Sequence, residues 1–193
     1  DFYRTSRFND FFNTHTDIYE LGLQVFNDSV MAHFDQEWYT RFYGTPPAEQ
    51  FRIIIGFTNG PCNYGPSRKL TGQPKEVFAI MNYAVDDNER PIFYKKVVET
   101  VVHEFCHSFT KIKGDTEKAL EKSGKALQEY TYFSMRRQAY STWRNILEES
   151  LVRAATICYL IDHNYDEKDI RNAIIEQVDR NFFWMPELVQ TLR

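Results

Sequence analysis

The pattern of hydrophobic and polar positions changes along the chain from helical to strand-like. Between Ile18 and Phe26, apolar residues recur every three or four positions, which is typical of an amphipathic helix. The run 51–57 is rich in isoleucine and has the length of a strand, and 76–83 has a similar character. The first part of the chain is therefore predicted to fold as a helix followed by two strands.

Residues 59–74 separate the two predicted strands. Glycine and proline recur throughout this segment, which predicts irregular backbone enclosing a short edge strand.

Almost everything after Phe93 has a helical period. The segments predicted as helices lie near 91–111, 115–135, 139–162 and 166–180, with a short helix after Pro186. Pro91 suits the first turn of the first of these helices. Because no alternation of strand and helix follows, the order of elements predicts an α+β fold rather than a doubly wound parallel sheet.

The chain of 193 residues is long enough for a single compact domain, which we divide into an N-terminal α/β lobe over about 1–112 and a helical lobe over about 113–193. Its formal charge of −4 argues against a nucleic-acid partner. No apolar run approaches the roughly 18 residues that cross a bilayer. The three cysteines, Cys62, Cys106 and Cys158, allow at most one disulfide.

His103-Glu104-Phe105-Cys106-His107 is an HExxH motif on the first of these predicted helices. Histidines four residues apart lie on one face of a helix, so both can reach one zinc ion, and Glu104 lies beside them to take a proton from a metal-activated water. Random order predicts only about 0.01 such matches in a chain of this composition. The surrounding valines and phenylalanines form an apolar stripe that points away from the histidines. We therefore expect one face to pack on the sheet while the other presents the histidines to a cleft.

A catalytic zinc usually takes three protein ligands, so a third must come from elsewhere. Lys113 occupies the position at which HExxHxxGxxH would place a third histidine. Glu148 and Glu149 lie on a strongly apolar predicted helix, where two unpaired carboxylates are costly to bury unless a metal ion or Arg153 compensates them. Helical phase does not separate the two glutamates, and an exposed Glu149–Arg153 helix pair is the structural alternative.

HExxH followed by a glutamate on a later helix resembles the gluzincin class of zinc metallopeptidases. More narrowly, the chain resembles a family of secreted bacterial zincin-like proteins over roughly residues 50–160, on the elements Asn63-Tyr64-Gly65, 103–109 and 149–154. This resemblance implies a zincin-like fold with a small mixed sheet, an active-site helix and a mainly helical C-terminal lobe.

Carried over residue by residue, the resemblance implies His103, His107 and Glu149 as zinc ligands and Glu104 as the general base. The resemblance thereby favours Glu149 over Glu148 as the third ligand. Better-known gluzincins place an acidic residue four positions after the ligand glutamate, to hold a histidine by its second nitrogen. This chain has Arg153 there, which cannot accept that hydrogen bond, so the partner of the histidines is not identified.

Asn63, Tyr64 and Gly65 are expected to bind substrate. Gly60–Gly65 either places an edge strand beside the metal, where an extended peptide adds by backbone hydrogen bonds, or forms a plain glycine–proline turn.

Four further residues have a possible role at or near the site. Tyr64, Tyr140 and His163 are candidate oxyanion donors, each with a structural alternative. Cys106 is expected to be a small buried residue rather than a ligand.

These residues favour a zinc-dependent peptidase in which Glu104 is the general base. One alternative is a catalytically silent zincin-like module that binds a peptide or protein, and another is a metal-free interaction protein in which HExxH is coincidental. We expect Zn²⁺ as the cofactor, a peptide or protein as the substrate, and neither nucleic acid nor a membrane span. The resemblance, with a chain that begins at Asp1 rather than Met, leads us to expect a processed piece of a longer protein in an extracellular or periplasmic location.

Overall fold

The structure, a computed structural model, describes residues 1–60 and 62–193 and combines a small sheet with many helices. The helices are α1 (Phe2–Thr5), α2 (Phe8–Thr14), α3 (Thr16–Ser29), α4 (Glu37–Tyr43), α5 (Lys96–Cys106), α6 (Asp115–Tyr130), α7 (Tyr132–Arg137), α8 (Trp143–Asp162), α9 (Glu167–Asp179) and α10 (Met185–Leu192), and a 3₁₀ turn covers Met31–His33. The strands are β1 (Gln50–Ile55), β2 (Ser67–Arg68), β3 (Glu76–Met81), β4 (Ala84–Val85) and β5 (Pro91–Ile92). The predicted α+β class is confirmed.

The main sheet has the order β1-β3-β2, in which β1 and β3 are parallel and β2 is antiparallel to β3. Parallel neighbours need a long crossover, and the glycine- and proline-rich segment supplies it. The predicted edge strand lies within this crossover, as β2 and as a bridge between Tyr64 and Ile80. Pro61, which belongs to the same predicted loop, lies outside the described residues.

The helix predicted over 91–111 is shorter than expected at its start. Pro91 and Ile92 form β5, which pairs antiparallel with β4, so the prediction that Pro91 lies in a first helical turn is wrong. Proline tolerates this place because a short two-stranded pair leaves an edge that needs no N–H donor. The helix α5 begins only at Lys96.

Two further helices differ from the predicted ranges. The helix predicted over 115–135 is divided at Thr131 into α6 and α7. The helix predicted over 139–162 begins at Trp143, because the Thr142 hydroxyl caps it by accepting a hydrogen bond from the backbone N–H of Asn145 at 3.2 Å.

The core lies where α5 packs between β3 and α8. The helix α8 is central, and twelve of its 20 residues are buried. The predicted apolar stripe of α5 is buried at Val98, Val101, Val102 and Phe105, and the Phe105 ring stacks on Phe51 of β1 at 4.1 Å between ring centroids. Packing of this stripe leaves the opposite face of α5 directed away from the sheet.

A helix must be both long and strongly apolar to cross a bilayer. Within residues 1–60 and 62–193, none combines the length and the apolar character that a membrane crossing requires.

Candidate metal centre

The helix α5 presents both histidines of the HExxH motif on one side. His103 lies inside the helix, and His107 directly follows its last residue with helical backbone angles (φ −56°, ψ −22°). The four-residue spacing therefore still places the two imidazoles one turn apart, with ring centroids separated by 5.1 Å. Both side chains are only partly exposed, at 23% and 33%.

The helix α8 brings Glu149 against this pair of histidines. Its Oε1 lies 3.5 Å from His103 Nε2, and its Oε2 lies 3.8 Å from His107 Nε2. One donor atom from each of the three residues falls within 4.8 Å of the others. Ligand atoms around a tetrahedral zinc ion are about 3.3–3.6 Å apart, given bonds of about 2.0–2.2 Å. The three side chains could therefore hold a metal ion.

Glu148 contacts a different neighbour. Its Oε1 accepts a hydrogen bond from the backbone N–H of Ile112, and its Oε2 accepts one from Lys111 Nζ, both at 2.9 Å. Adjacent residues of a helix point about 100° apart around its axis, so only one of the two glutamates can face the histidines. The structure brings Glu149 to them and uses Glu148 to hold the segment that follows α5.

Arg153 lies one turn after Glu149 and contacts the same carboxylate, with Nε 2.7 Å from Oε1. This contact is an ion pair without hydrogen-bond geometry, because Arg153 Nε has no hydrogen-bond partner among the described residues. The guanidinium also donates to Tyr140 Oη at 3.1 Å and to Gln177 Oε1, and it lies 4.9 Å from the centre of the Phe182 ring. The alternative of an exposed helix pair is wrong, since both side chains of the pair are nearly buried.

The charges of the group favour neutral imidazoles and an ionised carboxylate. Burial lowers the pKa of His103 to about 4, against the opposing attraction of Glu149, and burial also lowers the pKa of His107. Burial by itself raises the pKa of Glu149, but the facing His103 and Arg153 outweigh it, so the pKa falls below its ordinary value. These are the protonation states in which imidazole and carboxylate bind metal ions.

Glu104 lies beside this group and contacts the sheet edge. Gly65 comes so close that a Cβ atom placed on it would lie 2.1 Å from Glu104 Oε2. Burial raises the pKa of Glu104 to about 7, with the negative charge of Glu149 as the second cause. Within the described part of the chain, nothing donates a hydrogen bond to this carboxylate. It is therefore a partly buried carboxylate that is available to exchange a proton.

The segment Asn63-Tyr64-Gly65 lies at the border of the candidate metal centre, where Gly65 contacts Glu104. Asn63 Oδ1 accepts a hydrogen bond from the backbone N–H of Asn82 at 2.9 Å, which anchors the crossover to the end of β3. Tyr64 exchanges backbone hydrogen bonds of 3.0 and 2.8 Å with Ile80, and its side chain is 49% exposed. The segment is thus part of the sheet edge rather than a plain glycine–proline turn.

The remaining sequence candidates lie at different places. Tyr140 reaches the border of the group through Arg153. His163 lies roughly 20 Å along α8 from Glu149, where its Nε2 contacts Asp35 at 3.1 Å. It is therefore not part of this site.

One cysteine lies inside the motif itself. Cys106 is buried as predicted, and burial raises the pKa of its thiol to about 12. A protonated thiol in the core does not compete for a metal ion.

Sequence reasoning missed the support around Arg153. Tyr140 and Gln177 lie 13 and 24 residues from Arg153 in the chain, and no local pattern marks either as its partner. The histidines remain without a second partner: both Nε2 atoms face Glu149, and no hydrogen bond within residues 1–60 and 62–193 involves either Nδ1 atom.

Comparison with protein-family models matches residues 1–193 to the family described as Domain of unknown function (DUF4932). No curated protein and no solved structure matches the chain. The family description assigns no activity. On the whole-chain match, the protein belongs to the DUF4932 family.

Proposed function

We propose that the chain is a zinc-dependent peptidase of the gluzincin type with a zincin-like fold. The observation that carries the proposal is the convergence of His103, His107 and Glu149 from two helices, with Glu104 next to them. Two histidines and one glutamate form a known ligand set of catalytic zinc, which leaves a fourth position open. This arrangement supports hydrolysis better than a purely structural metal site, which closes all four positions.

When bound, zinc supplies Lewis acidity, which lowers the pKa of water and polarises a peptide carbonyl. In the proposed mechanism His103, His107 and Glu149 hold the ion, while Arg153 keeps the Glu149 carboxylate charged and in place. Glu104 takes the proton from the attacking water and returns it to the leaving amine. The partly buried and unpartnered carboxylate of Glu104 supports this role, because no fixed hydrogen bond holds it in one protonation state.

The sheet edge supports an extended peptide as substrate. Tyr64 directs its N–H and C=O towards Ile80, and Pro66 directs its C=O towards Phe78. Because backbone groups alternate along a strand, the N–H and C=O of Gly65 point away from β3. A peptide that pairs there passes next to Glu104, since Gly65 contacts that side chain. The extracellular or periplasmic location stays a prediction.

The test is the substitution Glu104→Gln, assayed with a broad library of fluorogenic peptides. We expect one zinc per chain in both wild type and variant, and an activity at least about 100-fold lower in the variant, because a general base contributes about that much or more. Glu99→Gln, on the same helix one turn earlier, is the matched control and should keep both zinc and activity.

Each other outcome points to a different conclusion. Full activity in Glu104→Gln removes Glu104 from the mechanism. A zinc-loaded wild type that cleaves nothing in the library but binds some of its peptides favours the silent binding module. A purified protein that contains no zinc and takes up none favours a coincidental motif.

A further inference from the structure

A small cavity lies beside the candidate metal centre, at the beginning of α8. It has a volume of about 220 Å³ and is formed by the end of α6, by α7 and by the first turns of α8. Tyr140 borders both places, because its ring lines the cavity and its Oη accepts a hydrogen bond from Arg153, which contacts Glu149. Ile146, which also lines the cavity, precedes Glu149 by about one turn of α8. The cavity is therefore within reach of a side chain of a peptide bound at the metal centre.

The turn that ends α7 brings the lining residues together. Ala139 has a left-handed backbone conformation, with φ at 67°. Tyr140 donates its N–H to the carbonyl of Met135 at 2.9 Å, and Ala139 donates its own to the carbonyl of Arg136 at 3.1 Å. These two bonds form a Schellman motif, in which glycine is the usual left-handed residue. The chain thus keeps a conformation that is unfavourable for alanine at the point that fixes Tyr140 next to Met135 and Arg136.

The lining has an apolar base and a rim of hydrogen-bond donors. Met135 and Ile146 are fully buried and form the base. Gln128, Arg136 and Ser141 are more exposed and provide an amide, a guanidinium and a hydroxyl. Among the described residues, no carboxylate lines the cavity. This lining suits a group that has an apolar stem and an anionic end.

Arg136 holds its positive charge at this rim without an acidic partner. Its Nη1 donates to Tyr132 Oη, and its guanidinium lies 5.6 Å from the centre of the same ring. Arg144 of α8 pairs with Glu117, whereas Arg136 makes no such ion pair within the described part of the chain. A guanidinium has five N–H donors in a planar fork that matches the two oxygens of a carboxylate. Most of the Arg136 donors are therefore available to a ligand.

We propose that this cavity binds a carboxylate of the peptide substrate, held by Arg136 close to the bond that is cleaved. The proposal rests on the proposed function for the nature of the substrate. The cavity is smaller than the roughly 300–1,000 Å³ of pockets for separate small molecules, so it fits one group of a larger ligand better. A glutamate side chain has methylene groups for the apolar base and a carboxylate for Arg136. The C-terminal carboxylate of a peptide has the same charge and is the second source of this group.

Three fluorescein-labelled alanine peptides distinguish the two sources. The first has an amidated C-terminus and one glutamate, placed at each position in turn, and the second has glutamine in the place of glutamate. The third has a free C-terminus and no acidic side chain. Fluorescence anisotropy with zinc-loaded Glu104→Gln measures binding without cleavage, and kcat/KM of the wild type measures selection. We expect the first or the third peptide to exceed the second by at least about tenfold in both, which is the size of a charge-assisted hydrogen bond.

Two substitutions at the rim test the role of Arg136. Arg136→Gln removes the charge of an exposed side chain, so it should fold normally and treat all three peptides alike. Arg136→Lys keeps the charge without the planar fork and should retain part of the preference. Neither change touches the three residues that could hold the metal, so loss of the preference in Arg136→Gln also excludes direct binding of the carboxylate to zinc. Circular dichroism melting verifies that both variants are folded.

Arg137→Gln is the matched control, because Arg137 is the next residue, is exposed and does not line the cavity. It should keep the full preference. The proposal is overturned if the wild type treats the three peptides alike, if the preference survives in Arg136→Gln, or if both arginine variants lose it equally. Cleavage without any preference would reject this cavity but keep the peptidase, whereas an Arg136-dependent preference in binding without cleavage would do the reverse.

Discussion

The two sides of the candidate metal centre are built differently. On the α8 side, Glu149 is fixed by Arg153, and Arg153 is itself held by Tyr140 and Gln177. On the sheet-edge side, Glu104 contacts Gly65 and receives no hydrogen bond from the described residues. A metal ligand must stay ionised and oriented, whereas a base must gain and lose a proton. Under the proposed function, the difference teaches that the carboxylate whose charge has to stay constant is supported, and the carboxylate whose charge has to change is not.

The largest effect is expected on the supported side, from Glu149→Gln. The change removes the charge of the proposed third ligand and leaves Arg153 buried without its partner. We expect zinc affinity to fall by about 100-fold or more, beyond the usual effect of a supporting residue, and stability to fall by about 3–5 kcal/mol. Zinc titration calorimetry and urea unfolding measure the two effects.

Glu148→Gln is the matched control for that prediction. It weakens the contacts to Lys111 and Ile112 but leaves the three donor atoms in place. Zinc affinity should therefore be unchanged. Loss of zinc in Glu148→Gln, with zinc retained in Glu149→Gln, would reverse the assignment of the two glutamates.

The next effect is expected on the unsupported side, from Gly65→Ala. The new methyl group would meet Glu104 Oε2, which is the far end of a flexible side chain. The carboxylate can move away at little energetic cost, so stability should change by less than about 0.5 kcal/mol. A displacement of about 1 Å can reduce a catalysed rate by about 100-fold, and we expect a loss of that order with zinc content unchanged.

Ser67→Ala, at an exposed position of the same sheet edge, is the control for Gly65→Ala and should retain full activity. Measured together, kcat, zinc content and melting temperature separate a displaced base from a disturbed fold. If Gly65→Ala loses zinc or unfolds, the two sides of the centre are not independent.

The smallest effect is expected from Arg153→Met, which keeps the length of the side chain but removes its charge. Residues that orient a metal ligand contribute about 10- to 100-fold to metal affinity, so we expect a loss in that range, partly restored in Arg153→Lys. Arg144→Met, on the same helix but paired with Glu117 away from the centre, should bind zinc normally. Unchanged affinity in Arg153→Met would mean that Glu149 needs no support.

Local sequence patterns predicted much of the fold because many of its elements depend mainly on residues that are close together in the chain. The isoleucine-rich strand, the crossover with its edge strand and the helix that carries HExxH follow from period and composition. The prediction for Pro91 was wrong because the place of Pro91 in β5 depends on pairing with β4 across a turn. A two-residue strand is too short to leave a hydrophobic period, so the sequence pattern does not show this pairing.

The sequence by itself determined that two histidines and a glutamate occupy one side of an amphipathic helix, because a four-residue spacing and a helical period suffice for that. Helical phase left Glu148 and Glu149 open and only the family resemblance favoured Glu149, whereas the tertiary structure brings Glu149 to the histidines and Gly65 to Glu104. The physical reason is rotational: neighbouring residues on α8 point about 100° apart, and the side that faces α5 is selected by the packing of both helices in the core.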